Sequence, residues 1–189
     1  MKVSREQFDE NRRKILDAAG GLFRSRGFEA VTVAEVMKAA GLTHGGFYGH
    51  FKSKDDLIAH TLAHVLKAGA DTKVDLVSYT ASYLSPRHRD DFAGGCPTAG
   101  LGAETIRQAP EARAAMTAGL RRQIERFSQS APGTNAAEAR RAAIGSYAAM
   151  VGALILARLA DDPQLSNEVL EQTHSWISDK RAKATKLKL

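Results

Sequence analysis

Residues 32–54, TVAEVMKAAGLTHGGFYGHFKSK, constrain the fold more than any other stretch of this chain. Thr32-x-x-Glu35 is a capping box that opens a short helix carrying Val33, Val36 and Met37, and Gly41 ends it. Thr43 starts a second short helix that reaches about His50, and Ser53-x-x-Asp56 opens a third. A capped two-turn helix, a tight Gly41-Leu42 turn and another short helix make helix-turn-helix geometry, in which the second helix lies in the major groove of DNA. Val33, Val36, Leu42, Phe47 and Phe51 are spaced to pack this pair, which leaves Thr43, His44, Gly45, Tyr48 and His50 facing outward.

The rest of the chain reads as helix too, because 3.6-residue periodicity and helix starts recur and no stretch sustains strand-like alternation. Ser4-x-x-Gln7 opens the first helix, with Phe8, Ile15, Ala19, Leu22 and Phe23 along one face and Gly27 as a left-handed cap. The helix from Ser53 carries Leu57, Ile58, Thr61, Leu62, Val65 and Leu66 as one stripe. Ser85-Pro86 and Asp162-Pro163 look like N-cap followed by N1, where proline loses no hydrogen bond. Asn135-x-x-Glu138 caps a helix with Ile144, Tyr147, Ala148, Val151, Ile155 and Leu159 on one side, and the last helix carries Leu165, Val169, Leu170, Thr173, Trp176 and Ile177. Both stripes are too wide for lone surface helices, and Gly145 and Gly152 admit a close partner. The expectation is an all-α chain of about nine helices, with an N-terminal three-helix domain at 1–52 (helix-turn-helix about 32–51) and a helical bundle at 53–189, joined by the helix starting near 53.

Charge adds little to this. The net charge is +6, but residues 1–60 hold ten Lys/Arg against eight Asp/Glu, while the last ten residues contribute +5 from Lys180, Arg181, Lys183, Lys186 and Lys188. A solvated, frayed tail explains that excess as well as nucleic acid does. The N-terminus lacks the apolar core of a signal peptide, and the longest apolar run, 148–157, is half the ~20 residues that cross a bilayer. The expected compartment is the cytoplasm, and no membrane partner is expected.

The ordered motifs resemble the N-terminal domain of the TetR family (TetR/AcrR type) of bacterial transcriptional regulators. The likeness runs from Arg13-Lys14-Ile15-Leu16-Asp17-Ala18-Ala19 through Leu22-Phe23, Gly27-Phe28, Thr32-Val33 and Ala40-Gly41-Leu42-Thr43 to Phe47-Tyr48-Gly49-His50-Phe51-Lys52-Ser53-Lys54-Asp55-Asp56-Leu57. It implies a homodimeric repressor that binds a palindromic operator in double-stranded DNA and is released by a small-molecule effector. With the chemistry of the residues it also implies roles. Thr43 offers a hydroxyl and open amides to a phosphate at the start of the recognition helix. Tyr48 and His50 reach backbone or base edges, with His44 and Gly45 beside them, while Lys52, Lys54 and Thr32 suit flanking phosphates. Gly46 and Gly49 depart from the family pattern, which usually has larger residues there. Either the backbone approaches DNA closely, or specificity leans on DNA shape and on Arg5, Arg12 and Arg13.

For residues 70–189 the resemblance implies an effector-binding and dimerisation body. Tyr79, Tyr83, Phe92, Cys96, Met116 and Tyr147 are candidates for the wall of a pocket taking an apolar or aromatic effector, and the helices near 135–160 and 163–182 should pair across the dimer as four helices. An alternative keeps the fold but makes Cys96, set before a helix start, a thiol sensor of electrophiles or oxidants. A helical enzyme with an incidental helix-turn-helix is the other rival, but nothing in the sequence orients a base toward Cys96, and no enzyme activity is expected. His60 and His64 are four apart but have no third metal ligand nearby, and the Gly94–Gly102 loop lacks both the phosphate-loop ending and the dinucleotide fingerprint. No cofactor or metal is expected.

Overall fold

In the computed structural model, residues 4–67 and 75–186 are described, with side chains as far as 179. Ten α-helices and one short 3-10 turn occur among them, and no strand. The basic tail falls outside the described side chains, and Lys188 outside the described residues altogether.

The first compact unit comprises α1 (Arg5–Arg26), α2 (Val33–Ala39), a 3-10 turn (His44–Gly46), α3 (Phe47–His50), α4 (Lys54–Lys67) and the segment 92–119, which holds α7 (Pro97–Thr105) and the first half of α8 (Pro110–Ser128). The caps expected from sequence form: Ser4 Oγ accepts from the Gln7 amide at 3.1 Å, and Ser53 Oγ from the Asp56 amide at 3.1 Å. The core takes Ile15, Ala19 and Phe23 from α1, Val36 and Met37 from α2, Phe47 from α3, and Leu57, Ile58 and Leu62 from α4, with Phe28, Val31 and Phe51 between them. Leu101, Ala112 and Met116 are buried from the 92–119 segment. Gly20 brings α1 against α4 so closely that an added Cβ would stand 2.6 Å from a Val65 methyl. By packing, then, α4 and 92–119 group with the first three helices, and the functional division placed at residue 52 is not a packing boundary.

Two local conformations differ from the sequence expectation. Gly27 has positive φ (+81°) but an extended ψ of 168°, so it leaves α1 without the left-handed turn. Its geometry instead makes room for the Glu104 carboxylate of α7. The helix expected from Thr43 begins as the 3-10 turn and becomes α-helical only at Phe47. Adjacent Gly45 and Gly46 have low helix propensity, each about 1 kcal/mol worse than alanine in a helix interior, which disfavours an α-helical first turn.

The second unit comprises α5 (Leu76–Tyr83), α6 (Pro86–Asp90), the remainder of α8, α9 (Ala136–Leu159) and α10 (Pro163–Lys186). Asn135 caps α9 by accepting from the Glu138 amide at 3.0 Å, and Ser85 caps α6 by accepting from the His88 amide at 3.2 Å. Arg158 on α9 donates to the carbonyls of His88, Arg89 and Asp91 at 3.1, 2.9 and 3.1 Å, satisfying orphan acceptors at the end of α6. Helix α9 buries Ala143, Tyr147, Met150, Leu154 and Ala157, a face that shares only Tyr147 with the stripe the sequence singled out. By length and composition α9 could cross a membrane, the one such helix among the described residues, and 33% of its apolar window is buried.

Candidate nucleic-acid interface

The capping box at the start of α2 is closed on both sides. The Glu35 amide donates to Thr32 Oγ1 at 3.2 Å, while the Thr32 amide and hydroxyl both donate to Glu35 Oε2 at 2.8 Å. Arg26 donates to Glu35 Oε1 at 2.9 Å, tying the end of α1 to this start. These donors hold the Glu35 carboxyl down at about 2, the Thr32 amide foremost. Gly41, at φ +71°, closes α2 with the conformation that favours glycine.

Beyond Gly41 the chain presents an exposed patch. Thr43, His44, Gly45, Gly46, Tyr48 and Gly49 are all exposed, Tyr48 at 72%. The anchor beneath them is Phe47, buried and edge-on to Tyr48 at 5.2 Å between ring centres. Thr43 is extended (φ −77°, ψ 145°) and its exposed side chain makes no capping bond, while the Gly46 amide closes the 3-10 turn on the Thr43 carbonyl at 3.1 Å. No internal reason for Gly45 or Gly49 is visible: φ is not positive, and an added Cβ at either would meet nothing within 4 Å. At Gly46 an added Cβ would make only ordinary contacts, 3.7 Å from the Met37 methyl.

His50 departs from the outward set. Its ring stacks on Phe8 of α1 at 4.2 Å, and its Nδ1 is buried. Burial, and then the Arg12 guanidinium, holds the imidazole below the usual histidine range. Arg12 is likewise committed inward: it donates to the His50 carbonyl and lies 4.3 Å over the Phe51 ring. Sequence spacing placed His50 outward because it treated α3 as an isolated helix, whereas Phe8 and Arg12 reach it from α1. Arg13 is exposed and paired with Glu10 at 2.7 Å. Lys52 is exposed, with its amide donating to Asp56 at 2.9 Å, and Lys54 reaches the Glu29 carbonyl at 3.4 Å.

The candidate effector residues divide. Tyr79, Tyr83 and Tyr147 lie in the second unit and are linked through Phe127, which sequence reading missed: Tyr79 and Phe127 are 4.9 Å apart, Phe127 and Tyr147 5.6 Å, and Tyr79 and Tyr83 5.7 Å. A cavity of about 400 Å³ opens beside them, lined by Tyr79, Tyr83, Ser85, Arg87, His88 and Asp91. Phe92, Cys96 and Met116 belong to the first unit: Phe92 is exposed, Cys96 is the half-buried N-cap of α7, and Met116 is buried with its Sδ 3.9 Å from the Thr98 hydroxyl. Phe127 carried no signal beyond its place in an amphipathic helix. His60 and His64 contact different carboxylates, Asp56 at 3.4 Å and Asp17 at 2.7 Å.

Comparison with known proteins agrees with this geometry. The family described as "Bacterial regulatory proteins, tetR family" matches residues 15–61, from the middle of α1 into α4. The HTH-type transcriptional regulator AcrR of Shigella flexneri is 41% identical over 58 residues, 31% of this chain and 27% of that protein. The HTH-type transcriptional repressor KstR2 of Mycobacterium tuberculosis is 32% identical over 78 residues, covering 41% and 39%. These matches thus span well under half of the relatives' length. The fold extends further: Escherichia coli NemR, in a reduced-form crystal structure, superposes with a TM-score of 0.72 at 24% identity over 89% of this chain and 95% of that one. A TetR-family regulator from Agrobacterium tumefaciens gives 0.70 at 18% identity, covering 89% and 98%. Residues 15–61 thus match the tetR family of bacterial regulatory proteins, and the rest of the chain shares the fold of a TetR-family regulator.

Proposed function

We propose that this chain is a repressor that binds a palindromic operator as a homodimer and releases it when a small molecule occupies the helical body. The carrying observation is the exposed patch Thr43–Gly49, set on the buried Phe47 and bare of bulk except at His44 and Tyr48. A protruding phenol and an exposed threonine hydroxyl at the start of the turn suit phosphate oxygens, with Lys52 and Lys54 flanking and Thr32 nearby at the start of α2. Arg12 is engaged internally, and a Cβ at Gly45 or Gly49 would meet nothing within the chain, which favours the first of the two readings of this glycine-rich helix, close approach of its backbone to DNA.

Dimerisation is assigned to the outer face of α9 with α10. Ile144, Ile155, Leu156 and Leu159 on α9 and Leu165 and Trp176 on α10 are exposed apolar side chains, an arrangement that favours a second copy of the chain. The effector is assigned to the cavity beside Tyr79 and Tyr83. Its aromatic wall and its Arg87, His88 and Asp91 edge fit a ring-bearing ligand with a polar group.

The test is a titration of DNA from upstream of the chain's own gene. Tyr48→Ala should weaken binding roughly tenfold or more, the cost of a lost hydrogen bond to a charged group. Parent and variant binding equally, or neither binding selectively, would defeat the reading. A second reading, sensing through Cys96, is favoured by the place of that half-buried thiol as the N-cap of α7. If Cys96→Ser releases DNA with electrophiles as the parent does, that reading fails.

A further inference from the structure

The turn between α1 and α2 is not completed by the helix-turn-helix itself. The Gly27 amide closes α1 on the Phe23 carbonyl at 2.7 Å, and the next amide, Phe28, donates at 2.8 Å to Oε2 of Glu104, seventy-six residues on and in the last turn of α7. Phe28 is fully buried and edge-on to Phe23 at 5.2 Å, so its amide is a fixed point in the core. Gly27 is shaped around the same carboxylate. At φ +81° only glycine is comfortable, and an added Cβ would stand 2.7 Å from Glu104 Oε1 and 3.1 Å from Oε2. Two further contacts hold α7 and the segment leading into it to the end of α1: Arg24 Nε donates to the Ala93 carbonyl at 2.6 Å, and Gly100 lies where an added Cβ would be 3.6 Å from the Arg24 carbonyl oxygen.

A carboxylate at the C-terminal end of a helix opposes the helix dipole, so Glu104 is placed against the local field and is held by the amide it accepts from. That amide begins the connection to α2, whose capping box is tied back to α1 by Arg26 and whose C-terminal turn leads into Thr43. We propose that Glu104 is a positioning residue for the recognition helix: its carboxylate fixes the Gly27–Phe28 turn, and so the angle of α2 and α3, and a displacement of α7 is felt at the DNA-facing patch through this bond. The inference rests on the DNA-binding reading of that patch. It supplies a route by which the segment carrying Cys96 and Met116 alters operator affinity without touching DNA.

The experiment measures, in the full-length parent, Glu104→Ala and Glu104→Gln, both operator affinity by fluorescence anisotropy and exchange of the Phe28 amide. Glu104→Ala should speed Phe28 exchange while core amides such as Leu62 stay protected, and should weaken operator binding at least about fivefold, the lower end of coupling between two sites. Glu104→Gln, which keeps an acceptor oxygen, should restore both. Faster Phe28 exchange with unchanged affinity overturns the proposal, as does unchanged exchange in Glu104→Ala. A parent that binds no operator defeats the DNA-binding reading itself and this inference with it, whereas a parent that binds isolates the test of Glu104. Should Glu104→Ala not fold, Glu104→Asp, which withdraws the carboxylate by one methylene, is judged by the same criteria.

Discussion

At the scale of single residues, Glu35 ties together the start of α2 and the end of α1. It accepts the amide and hydroxyl of Thr32 and pairs with Arg26, joining the end of α1 to the start of α2. Its folded pKa, about 2, lies below the ordinary 4.5, so its contribution is whole above pH 4.5 and is lost as pH falls toward 2. Urea unfolding followed between pH 5 and pH 2 should show stability falling through that window, and Glu35→Gln should flatten the fall. This residue was legible in the sequence, because a capping box is local chemistry written in four positions. His50 was not. Its place is set by Phe8 and Arg12, about forty residues earlier, and no spacing within 43–51 announces that a helix elsewhere covers one edge of it.

At the scale of elements, the recognition helix is the part where local preference and proposed task conflict. Its 3-10 start and its three glycines weaken it, yet Gly45 and Gly49 have open space where a Cβ would go. A methyl there removes unfolded-chain entropy, so Gly45→Ala and Gly49→Ala should each raise stability by about 0.4–1 kcal/mol. If the bare backbone is kept for DNA, the same substitutions should weaken operator binding. A thermal melt beside an affinity titration separates the outcomes: higher Tm with unchanged affinity would show that the glycines have no role at the DNA. Helix count and caps were largely readable, since Ser4, Thr32, Ser53, Ser85 and Asn135 all act as the sequence suggests. The buried face of α9 was not, because that helix is apolar nearly all round and periodicity alone does not choose between its sides.

At the scale of the whole molecule, the two apolar sides of α9 have separate environments. The side with Ala143, Tyr147, Met150, Leu154 and Ala157 is consumed within the chain, and the side with Ile144, Ile155 and Leu159 is left exposed, Leu159 at 74%. Leu159→Glu should leave the protomer folded, because that side chain is outside the core, and should convert a dimer into monomers in sedimentation. It should also abolish tight operator binding, since one protomer contacts only half a palindrome. An unchanged sedimentation coefficient would move the interface elsewhere. Sequence reading found the helices of this surface, but the packing of 92–119 with the N-terminal helices depends on contacts such as Glu104 to Phe28 that no local pattern encodes. The central claim is that Thr43–Gly49 grips duplex DNA, and anisotropy of labelled operator at several salt concentrations tests it most directly. Selective binding by two protomers per duplex, steeply weakened by salt and by Tyr48→Ala, is the predicted result. Salt-insensitive binding, or equal affinity for operator and unrelated DNA, would contradict it.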